Sequence, residues 1–389
     1  MTMTINNEHN KLNVPNLRFP EFQGEWEEHY LSDFLDFKNG LNPKPDKFGK
    51  GIKFISVMDI LNNAVITYDC IRASVDVSED ELQNFCVENG DMLFQRSSET
   101  LEDVGRANVY MDDKPAVFGG FVIRGKKKAE YNPLFFRYLL ASQFARRKII
   151  PMGAGAQHFN IGQEGLNRVR LHFASLDEQK KIAKILSLLD ERISIQNKVI
   201  EDLKKLKCAI AERLFKVIIG DVVALSDVCN IQKGKQVNGD SLSENGTYYV
   251  MNGGTEPSGY YEQCNTHANT ISISEGGNSC GYIQYNREAF WSGGHCYTLT
   301  NIQSNVCNLY LYHYLKSKES AIMKLRIGTG LPNIQKKDLE KFAVLLPPVA
   351  KQVRISAFLT VVERKATNEE ILLSHFQEEK QYLLRQMFI

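Results

Sequence analysis

Two long segments of the chain place hydrophobic residues at steps of three and four, the spacing of one face of an α-helix. From Asp177 to Val217 this stripe comprises Ile182, Ile185, Leu186, Leu189, Ile193, Val199, Ile200, Leu203, Leu206, Ile210 and Leu214. From about Ala350 to Phe388, after Pro347-Pro348, it comprises Ile355, Phe358, Leu359, Val362, Ala366, Leu373, Phe376, Leu383 and Met387. The pattern predicts two helices, each about 60 Å long at 1.5 Å per residue.

Helices of this length need a partner to cover their hydrophobic stripes, so we expect the two to pair as a coiled coil. The alternative is that each helix packs only on its own domain. In both arrangements the helices act as spacers.

The remaining segments alternate short β-type runs with glycine-rich turns. The clearest runs are Val109-Tyr110, Phe121-Val122-Ile123, Tyr248-Tyr249-Val250, Thr270-Ile271-Ser272-Ile273 and Cys296-Tyr297-Thr298-Leu299. Short helices are predicted near Pro133 to Ile149 and near Leu309 to Lys324. We therefore expect an α+β fold with two small α/β domains separated by the long helices.

The chain contains an internal repeat, which organises the whole prediction. Pairs separated by 173 residues are Asn160-Ile161 with Asn333-Ile334, Gln179-x-x-Ile182 with Gln352-x-x-Ile355, Phe215 with Phe388, and Gly155 with Gly328. Nearer the front, the pairs are Leu31-Ser32-Asp33 with Leu225-Ser226-Asp227, 194 residues apart, and Gly119-Gly120 with Gly293-Gly294. The shrinking separation indicates two copies of one unit, with a front portion of variable length and a back portion of constant length.

The repeat and the helical stripes together predict five segments. They are an N-terminal segment at 1–25, a first α/β domain at 26–173, a first helix at 174–217, a second α/β domain at 218–346 and a second helix at 347–389.

Composition supports a multidomain, water-soluble protein. A chain of 389 residues, 43% of them hydrophobic, exceeds what one core usually holds. The polar start from Met1 to Asn13 has no signal-peptide hydrophobic core, and no apolar stretch is long enough to span a membrane. The eight cysteines include no CxxC pair, as expected for reduced thiols in a cytoplasm. We predict a cytoplasmic protein.

The net charge of +1 does not by itself favour nucleic-acid binding, which requires lysine and arginine clustered on one surface. Local basic clusters occur at 44–53, 124–128, 146–148 and 233–235. They permit DNA binding, but such clusters are also typical of solvated surfaces.

Motifs for catalysis, metals and cofactors are missing from the sequence. Gly234-Lys235 is followed by Gln236 and is not preceded by a glycine five positions earlier, so it is not a GxxxxGK[ST] phosphate loop. The segment 346–349 lacks the amide and the aromatic residue of a methyltransferase Asn-Pro-Pro-aromatic signature. Potential zinc ligands are Cys264, His267, Cys280, His295 and Cys296. Their irregular spacing favours packed small residues, and we predict no metal site.

Two segments resemble the specificity subunits of Type I restriction-modification systems. They are Pro15-x-Leu17-Arg18-Phe19-Pro20-x-Phe22-x-Gly24-Glu25-Trp26, and Leu345-x-Pro347-Pro348 with Gln352-x-x-Ile355 before a long helix. The duplicated order of domain and helix is also similar, over nearly the whole chain. The chain departs from the family pattern at both helix starts. Ser175 to Gln179 lacks the double proline, and Ala350-Lys351 lacks the usual acidic residue before Gln352.

The resemblance implies a non-catalytic subunit with two target-recognition domains that read a bipartite DNA target, and an antiparallel helix pair that acts as a ruler within a pseudo-twofold repeat. Two readers on one face of B-DNA lie roughly 34 Å apart, or a multiple of it, and a stiff helix pair can hold such a distance. The alternatives are a coiled-coil scaffold that binds proteins and an autonomous methyltransferase or nuclease. The missing catalytic motifs disfavour the last.

The resemblance also implies partners. These are two modification subunits that methylate adenine with S-adenosylmethionine, and restriction subunits that hydrolyse ATP, translocate DNA and cut it. S-adenosylmethionine, ATP and magnesium would then bind the partner subunits, and this chain would hold no cofactor.

Base reading in the major groove requires side chains that make paired hydrogen bonds, chiefly Arg, Lys, Asn and Gln. In the first domain the candidates are Arg96, Ser97 and Ser98, with Lys44, Lys47 and Arg106 as phosphate contacts. In the second domain they are Ser274, Asn278, Asn252, Arg287, Lys233 and Lys235. For each residue, the alternative is an ordinary polar side chain at a strand end.

Overall fold

The computed structural model describes residues 2–3, 13–328, 330 and 332–389. The chain divides into two compact units, Met1–Gln196 with Leu372–Ile389, and Asn197–Ile371. Each unit therefore combines one α/β domain with a part of each long helix. No helix within the described residues is long and apolar enough to cross a membrane.

The first unit contains two four-stranded sheets. Its strands are β1 (Thr2–Met3), β2 (Leu17–Arg18), β3 (Glu27–Tyr30), β4 (Leu35–Asn39), β5 (Phe48–Ile55), β6 (Ser74–Val75), β7 (Cys86–Val87), β8 (Met92–Gln95), β9 (Ser97–Ser98), β10 (Ala107–Val109), β11 (Ala116–Phe118), β12 (Val122–Lys127), β13 (Phe159–Asn160) and β14 (Arg170–Phe173). The antiparallel sheet has the order β10-β8-β12-β4, and the second has the order β6-β5-β11-β7, with β5 and β11 parallel.

The short helices of the first unit are α1 (Leu31–Phe34), α2 (Val57–Asn62), α3 (Glu79–Phe85), α4 (Pro133–Ala141), α5 (Gln143–Ile149) and α6 (Gln163–Asn167). The first long helix, α7 (Leu176–Val217), follows β14. It begins in the first unit and ends in the second.

The second unit repeats this plan. Its strands are β15 (Asp221–Ala224), β16 (Asn230–Lys233), β17 (Tyr248–Met251), β18 (Tyr260–Tyr261), β19 (Thr270–Ser274), β20 (Ile283–Asn286), β21 (Trp291–Ser292), β22 (Cys296–Thr300) and β23 (Ala343–Leu346). Its helices are α8 (Asn308–Ser317), α9 (Glu319–Met323), α10 (Lys336–Glu340) and the long α11 (Val349–Gln386). The antiparallel sheet β16-β22-β19-β20 corresponds to β4-β12-β8-β10. The predicted fold class is confirmed.

The repeated Leu-Ser-Asp segments start the domains in the same way. Asp33 accepts a hydrogen bond from the backbone N–H of Tyr30 at 2.9 Å, and Asp227 accepts one from Ala224 at 3.0 Å. Both leucines are fully buried. A carboxylate that caps a helical turn accounts for this repeated pattern.

Both short predicted helices are interrupted, which corrects the prediction of one continuous helix in each domain. Ser142 ends α4 and caps α5, where its hydroxyl accepts a hydrogen bond from the N–H of Ala145 at 3.3 Å. In the second unit Lys318 separates α8 from α9. A serine cap satisfies a free backbone N–H and so favours a new helix start over continuation.

The long helices run antiparallel within the second unit, where Lys204 pairs with Glu370 and Lys207 with Glu363, both at 2.6 Å. The predicted hydrophobic stripe is partly wrong, because Leu206 and Phe358 are each about half exposed. The repeated phenylalanines at the ends of the two long helices, Phe215 and Phe388, are both buried. Phe215 packs on Tyr310 and Tyr314 of α8, and Phe388 packs on Trp26 and Phe135 in the first unit.

The repeated glutamines fasten each long helix to its own domain. Gln179 is buried, accepts a hydrogen bond from the N–H of Asn132 at 2.9 Å and donates one to the carbonyl of Ala174 at 2.9 Å. Gln352 is also buried, and it bonds Cys307, Asn305 and Pro347 in the same way. The Gln-x-x-Ile repeat is therefore structural.

A second repeated contact joins an acidic residue on one long helix, a lysine on the other and a tyrosine of the domain. Asp190 accepts a hydrogen bond from Tyr138 at 2.8 Å and forms an ion pair with Lys380 at 2.5 Å. Its counterpart Glu363 accepts from Tyr312 at 2.9 Å and from Lys207 at 2.6 Å. Burial alone would raise the pKa of Glu363, but Lys207, the Tyr312 hydroxyl and His313 together outweigh burial and hold this pKa below its ordinary value. The two sites thus fix the pairing of the helices.

Candidate nucleic-acid interface

One end of the antiparallel sheet in the first unit is closed by a crossing of two glycine segments. The N–H of Gly40 bonds the carbonyl of Val122 at 3.2 Å, and the N–H of Leu41 bonds that of Phe118 at 2.9 Å. A Cβ atom on Gly40 would overlap the carbonyl of Gly119. Only glycine allows this approach of the two backbones.

The second unit has the same crossing between Gly234 and Gly293, where a Cβ atom on Gly234 would also overlap a backbone carbonyl. The N–H of Gly234 bonds the carbonyl of Cys296 at 2.9 Å, and that of Lys235 bonds Ser292 at 2.9 Å. The repeated double glycine therefore builds an equivalent sheet end in each unit, and loops gather there.

The structure brings Arg96 and Ser97 to this end of the first unit. Arg96 follows β8, and its guanidinium donates to the carbonyl of Gly120 at 3.2 Å. The Ser97 hydroxyl bonds the side-chain oxygen of Asn160 at 2.5 Å. Ser98 is buried and accepts a hydrogen bond from the N–H of Thr100, so it holds a loop inside the domain.

The predicted phosphate contacts of the first unit are exposed. Lys44 lies on the loop after β4, and Lys47 lies 3.6 Å from Asp76. Arg106 pairs with Asp103 at 2.6 Å and lines a cavity of about 310 Å³. Such exposed pairs are weak, and both lysine and arginine can exchange them for phosphate.

Arg146 lines the same cavity and was not among the predicted site residues, although its basic cluster was noted. It donates to the carbonyls of Glu102 and Val104, each at 2.7 Å. Burial, reinforced by the charge of Arg106, lowers the pKa of Arg146 to about 10. Two guanidinium groups thus face one cavity.

In the second unit, three predicted residues line one cavity of about 690 Å³. They are Lys233, Asn252 and Asn278. Asn252 accepts a hydrogen bond from the N–H of His295 at 3.1 Å, and Asn278 is exposed. Gly253, Gly276 and Gly277 also line this cavity.

The other predicted residues of the second unit are placed differently. Ser274 is buried and its hydroxyl donates to the carbonyl of Gly253 at 2.6 Å, so it fixes a loop of the cavity. Lys235 is exposed beside the glycine crossing. Arg287 follows β20, and the pairing of Thr270 with Asn286 puts it at the opposite end of the sheet. The structure therefore does not bring Arg287 to the others.

Sequence reasoning missed Glu275 and missed His295 as a contact residue. The Glu275 carboxylate accepts from Lys233 at 2.6 Å and from Tyr297 at 3.0 Å, and its other oxygen lies 3.6 Å from Nδ1 of His295. Burial and the neighbouring Glu275 raise the pKa of Tyr297, so this hydroxyl remains a donor. The repeat could have identified His295, because it directly follows the repeated double glycine Gly293-Gly294, as Phe121 follows Gly119-Gly120.

Among the described residues, no group of His, Cys, Asp or Glu side chains has the arrangement of a metal site, and all eight cysteines are free. The arrangement at the two sheet ends is instead one of exposed cations and amides on glycine-rich loops. Such groups can bind phosphates and read base edges.

Known proteins share this architecture. The M. genitalium S subunit of a Type I restriction-modification system has a solved structure that matches 97% of this chain and 99% of its own, with a TM-score of 0.66 and 19% identity. A second solved chain, from a study of complex assembly in the type I R-M system, matches 93% of this chain and 97% of its own, with a TM-score of 0.57 and 16% identity. These similarities show the fold.

Sequence comparison gives the family. The Methanocaldococcus jannaschii protein named "Putative type I restriction enzyme MjaX specificity subunit" is 24% identical over 381 residues, covering 88% of each chain. The model of the Type I restriction modification DNA specificity domain matches residues 23–205 and 221–373, which together are most of the chain. The chain therefore belongs to the Type I restriction-modification specificity subunits, which recognise DNA sequence.

Proposed function

We propose that this chain reads a two-part DNA target, with one part contacted by the glycine-crossing end of each unit, and that the long helices fix the distance between the parts. The observation that carries the proposal is the duplicated sheet end. Gly40 with Gly119 and Gly234 with Gly293 make the same close crossing, and candidate contact residues surround both.

The DNA contacts divide by chemistry. Arg96, Ser97, Asn252 and Asn278 are the candidates for base reading, because guanidinium and amide groups make paired hydrogen bonds to base edges and a serine hydroxyl can donate or accept a single one. Phosphate contacts are assigned to Lys44, Lys47, Arg106, Lys233 and Lys235. Ser98 and Ser274 support the loops from inside.

The chain also positions partner subunits in this proposal. Exposed hydrophobic side chains on α7 and α11, which include Leu206, Val353, Phe358 and Val361, support a protein-binding role for the helices. The partners are methyltransferase subunits, which bind S-adenosylmethionine, and restriction subunits, which use ATP and magnesium. This chain supplies specificity and no catalytic group.

Lengthening both long helices tests the spacer. Four residues inserted after Gln196 and four after Ile371 fall where the two units divide, so the helix pairing within each unit is retained. The insertion adds about 6 Å, or about two base pairs. Methylation sequencing of cells that carry the variant should show a longer gap between the half-sites or loss of methylation. An unchanged gap with full methylation would contradict the spacer.

A protein-binding scaffold is the remaining alternative, and direct binding distinguishes it. The full chain with its methyltransferase partner should prefer a duplex that carries the methylated target over a scrambled duplex, with a strong dependence on salt. Equal binding to both duplexes would favour the scaffold.

A further inference from the structure

Arg96 and Glu275 occupy equivalent positions in the two units, although they carry opposite charges. Each is the residue that follows the corresponding strand, β8 or β19. The N–H of Arg96 bonds the carbonyl of Phe121 at 2.8 Å, and the N–H of Glu275 bonds that of His295 at 2.9 Å. Their own carbonyls accept from the N–H of Ile161 at 2.9 Å and of Ile334 at 2.8 Å. The backbone environment is therefore the same.

One oxygen of the Glu275 carboxylate lacks a hydrogen-bond donor. Lys233 and Tyr297 both bond its Oε1, whereas Oε2 is buried and has no hydrogen-bond partner among the described residues. A buried acceptor without a donor is costly, and a ligand that supplies an N–H removes that cost. The Lys233 ammonium pairs with this side chain at 2.6 Å, and a carboxylate offers acceptors only.

The surroundings of Glu275 suit a base edge. It lines the cavity of about 690 Å³ that Asn252 and Asn278 also line. Nδ1 of His295 lies 3.6 Å from Oε2, and this side chain is 63% exposed, which leaves it room to move aside for a ligand. The nearby glycines leave room for close approach of another molecule.

We propose that Glu275 is a base-reading residue of the second unit and accepts a hydrogen bond from an exocyclic amino group, that of cytosine N4 or adenine N6. Acidic side chains accept from cytosine N4 in the major groove, and arginine pairs with guanine. The equivalent positions 96 and 275 then read the two half-sites with opposite hydrogen-bonding character. This inference rests on the proposed function.

The test uses the full chain with its methyltransferase partner and duplexes that carry the target found by methylation sequencing. Each base pair of the half-site read by the second unit is replaced in turn by the three others. Wild-type protein should lose affinity at every specified position. Glu275→Gln should bind the cognate duplex about 5- to 150-fold more weakly, the discrimination of one good base contact, and should stop distinguishing the bases at one position only. Whether that position carries cytosine or adenine identifies the amino group.

Glu288→Gln is the matched control, because this exposed glutamate lies beyond β20, at the opposite end of the same sheet. It should change neither affinity nor selectivity. If Glu275→Gln does not fold, as judged by its melting temperature, Glu275→Asp keeps the charge and should weaken the same position alone.

Retention of wild-type selectivity by folded Glu275 variants would overturn the inference, and so would an equal loss of affinity for all sequences. In both cases the wild-type preference for the target would still stand, and with it the proposed function. If wild-type protein shows no sequence preference, the proposed function itself fails.

Discussion

His313 should make the second unit sensitive to mild acid. This side chain lies on α8, is 2% exposed and contacts the hydroxyl of Thr360 on α11 at 3.0 Å. Burial lowers its pKa from 6.5 to about 4, and Lys207 and Arg287 add to the shift while Glu363 opposes it. Between about pH 4 and pH 6.5, the imidazole is therefore neutral in the folded protein and protonated in the unfolded chain.

The sign and size of the effect follow from linkage. The unfolded state takes up the proton near pH 6.5, so the contribution of His313 to stability is complete above that pH and falls as the pH drops towards about 4. Between about pH 7.5 and pH 5 the loss is about 2 kcal/mol. For a unit of this size, that corresponds to a fall of about 4–8 °C in melting temperature.

Calorimetry on wild-type protein and His313→Gln measures this contribution. The glutamine amide can bond Thr360 and does not titrate, so the melting temperature of the variant should fall less than that of wild type over this pH range. His267→Gln changes an exposed histidine of the same unit and should follow wild type. Parallel pH profiles for wild type and His313→Gln would show that His313 does not cause the loss of stability in acid.

Three other substitutions have defined outcomes. Gln352→Ala removes a buried side chain that makes three hydrogen bonds. It should lower the free energy of unfolding, measured by urea titration, by about 2–4 kcal/mol. A loss below about 1 kcal/mol would show that these hydrogen bonds are dispensable. Gly234→Ala should lower both the melting temperature and the affinity for DNA, whereas Gly239→Ala, where a Cβ atom meets nothing, should match wild type in both assays. Lys235→Gln should weaken binding to all duplexes alike and reduce the slope of log affinity against log salt by about one, as measured by fluorescence anisotropy. A sequence-dependent loss would instead assign Lys235 to base reading.

The back portion of each repeat was predictable because its spacing is constant. Gln179 and Gln352 recur 173 residues apart, and the structure gives both the same buried hydrogen bonds. Asp190 and Glu363 are also 173 residues apart, as are Lys207 and Lys380. The ion pairs that they form between the helices were not predictable, because these pairs depend on how the two helices are aligned. A stripe of apolar residues does not specify that register, which is why Leu206 was wrongly expected to be buried.

The contact positions were harder to predict because loop lengths differ between the domains. Leu31 and Leu225 lie 194 residues apart, Arg96 and Glu275 lie 179 apart, and these two share neither charge nor size. Only their common backbone hydrogen bonds reveal that they are equivalent. Ser98 and Ser274 were predicted to contact DNA, but both are buried. A small polar residue at a strand end can turn inward as easily as outward, and the sequence does not distinguish the two.

Exchange of one domain shows whether each domain reads its own half of the target. Residues 26–173 would be replaced by the corresponding domain of another specificity subunit, and the methylated target would be determined by sequencing the host DNA. We expect one half of the target to change while the other half stays as it was. A change in both halves, or in neither, would mean that the two domains do not read separate half-sites.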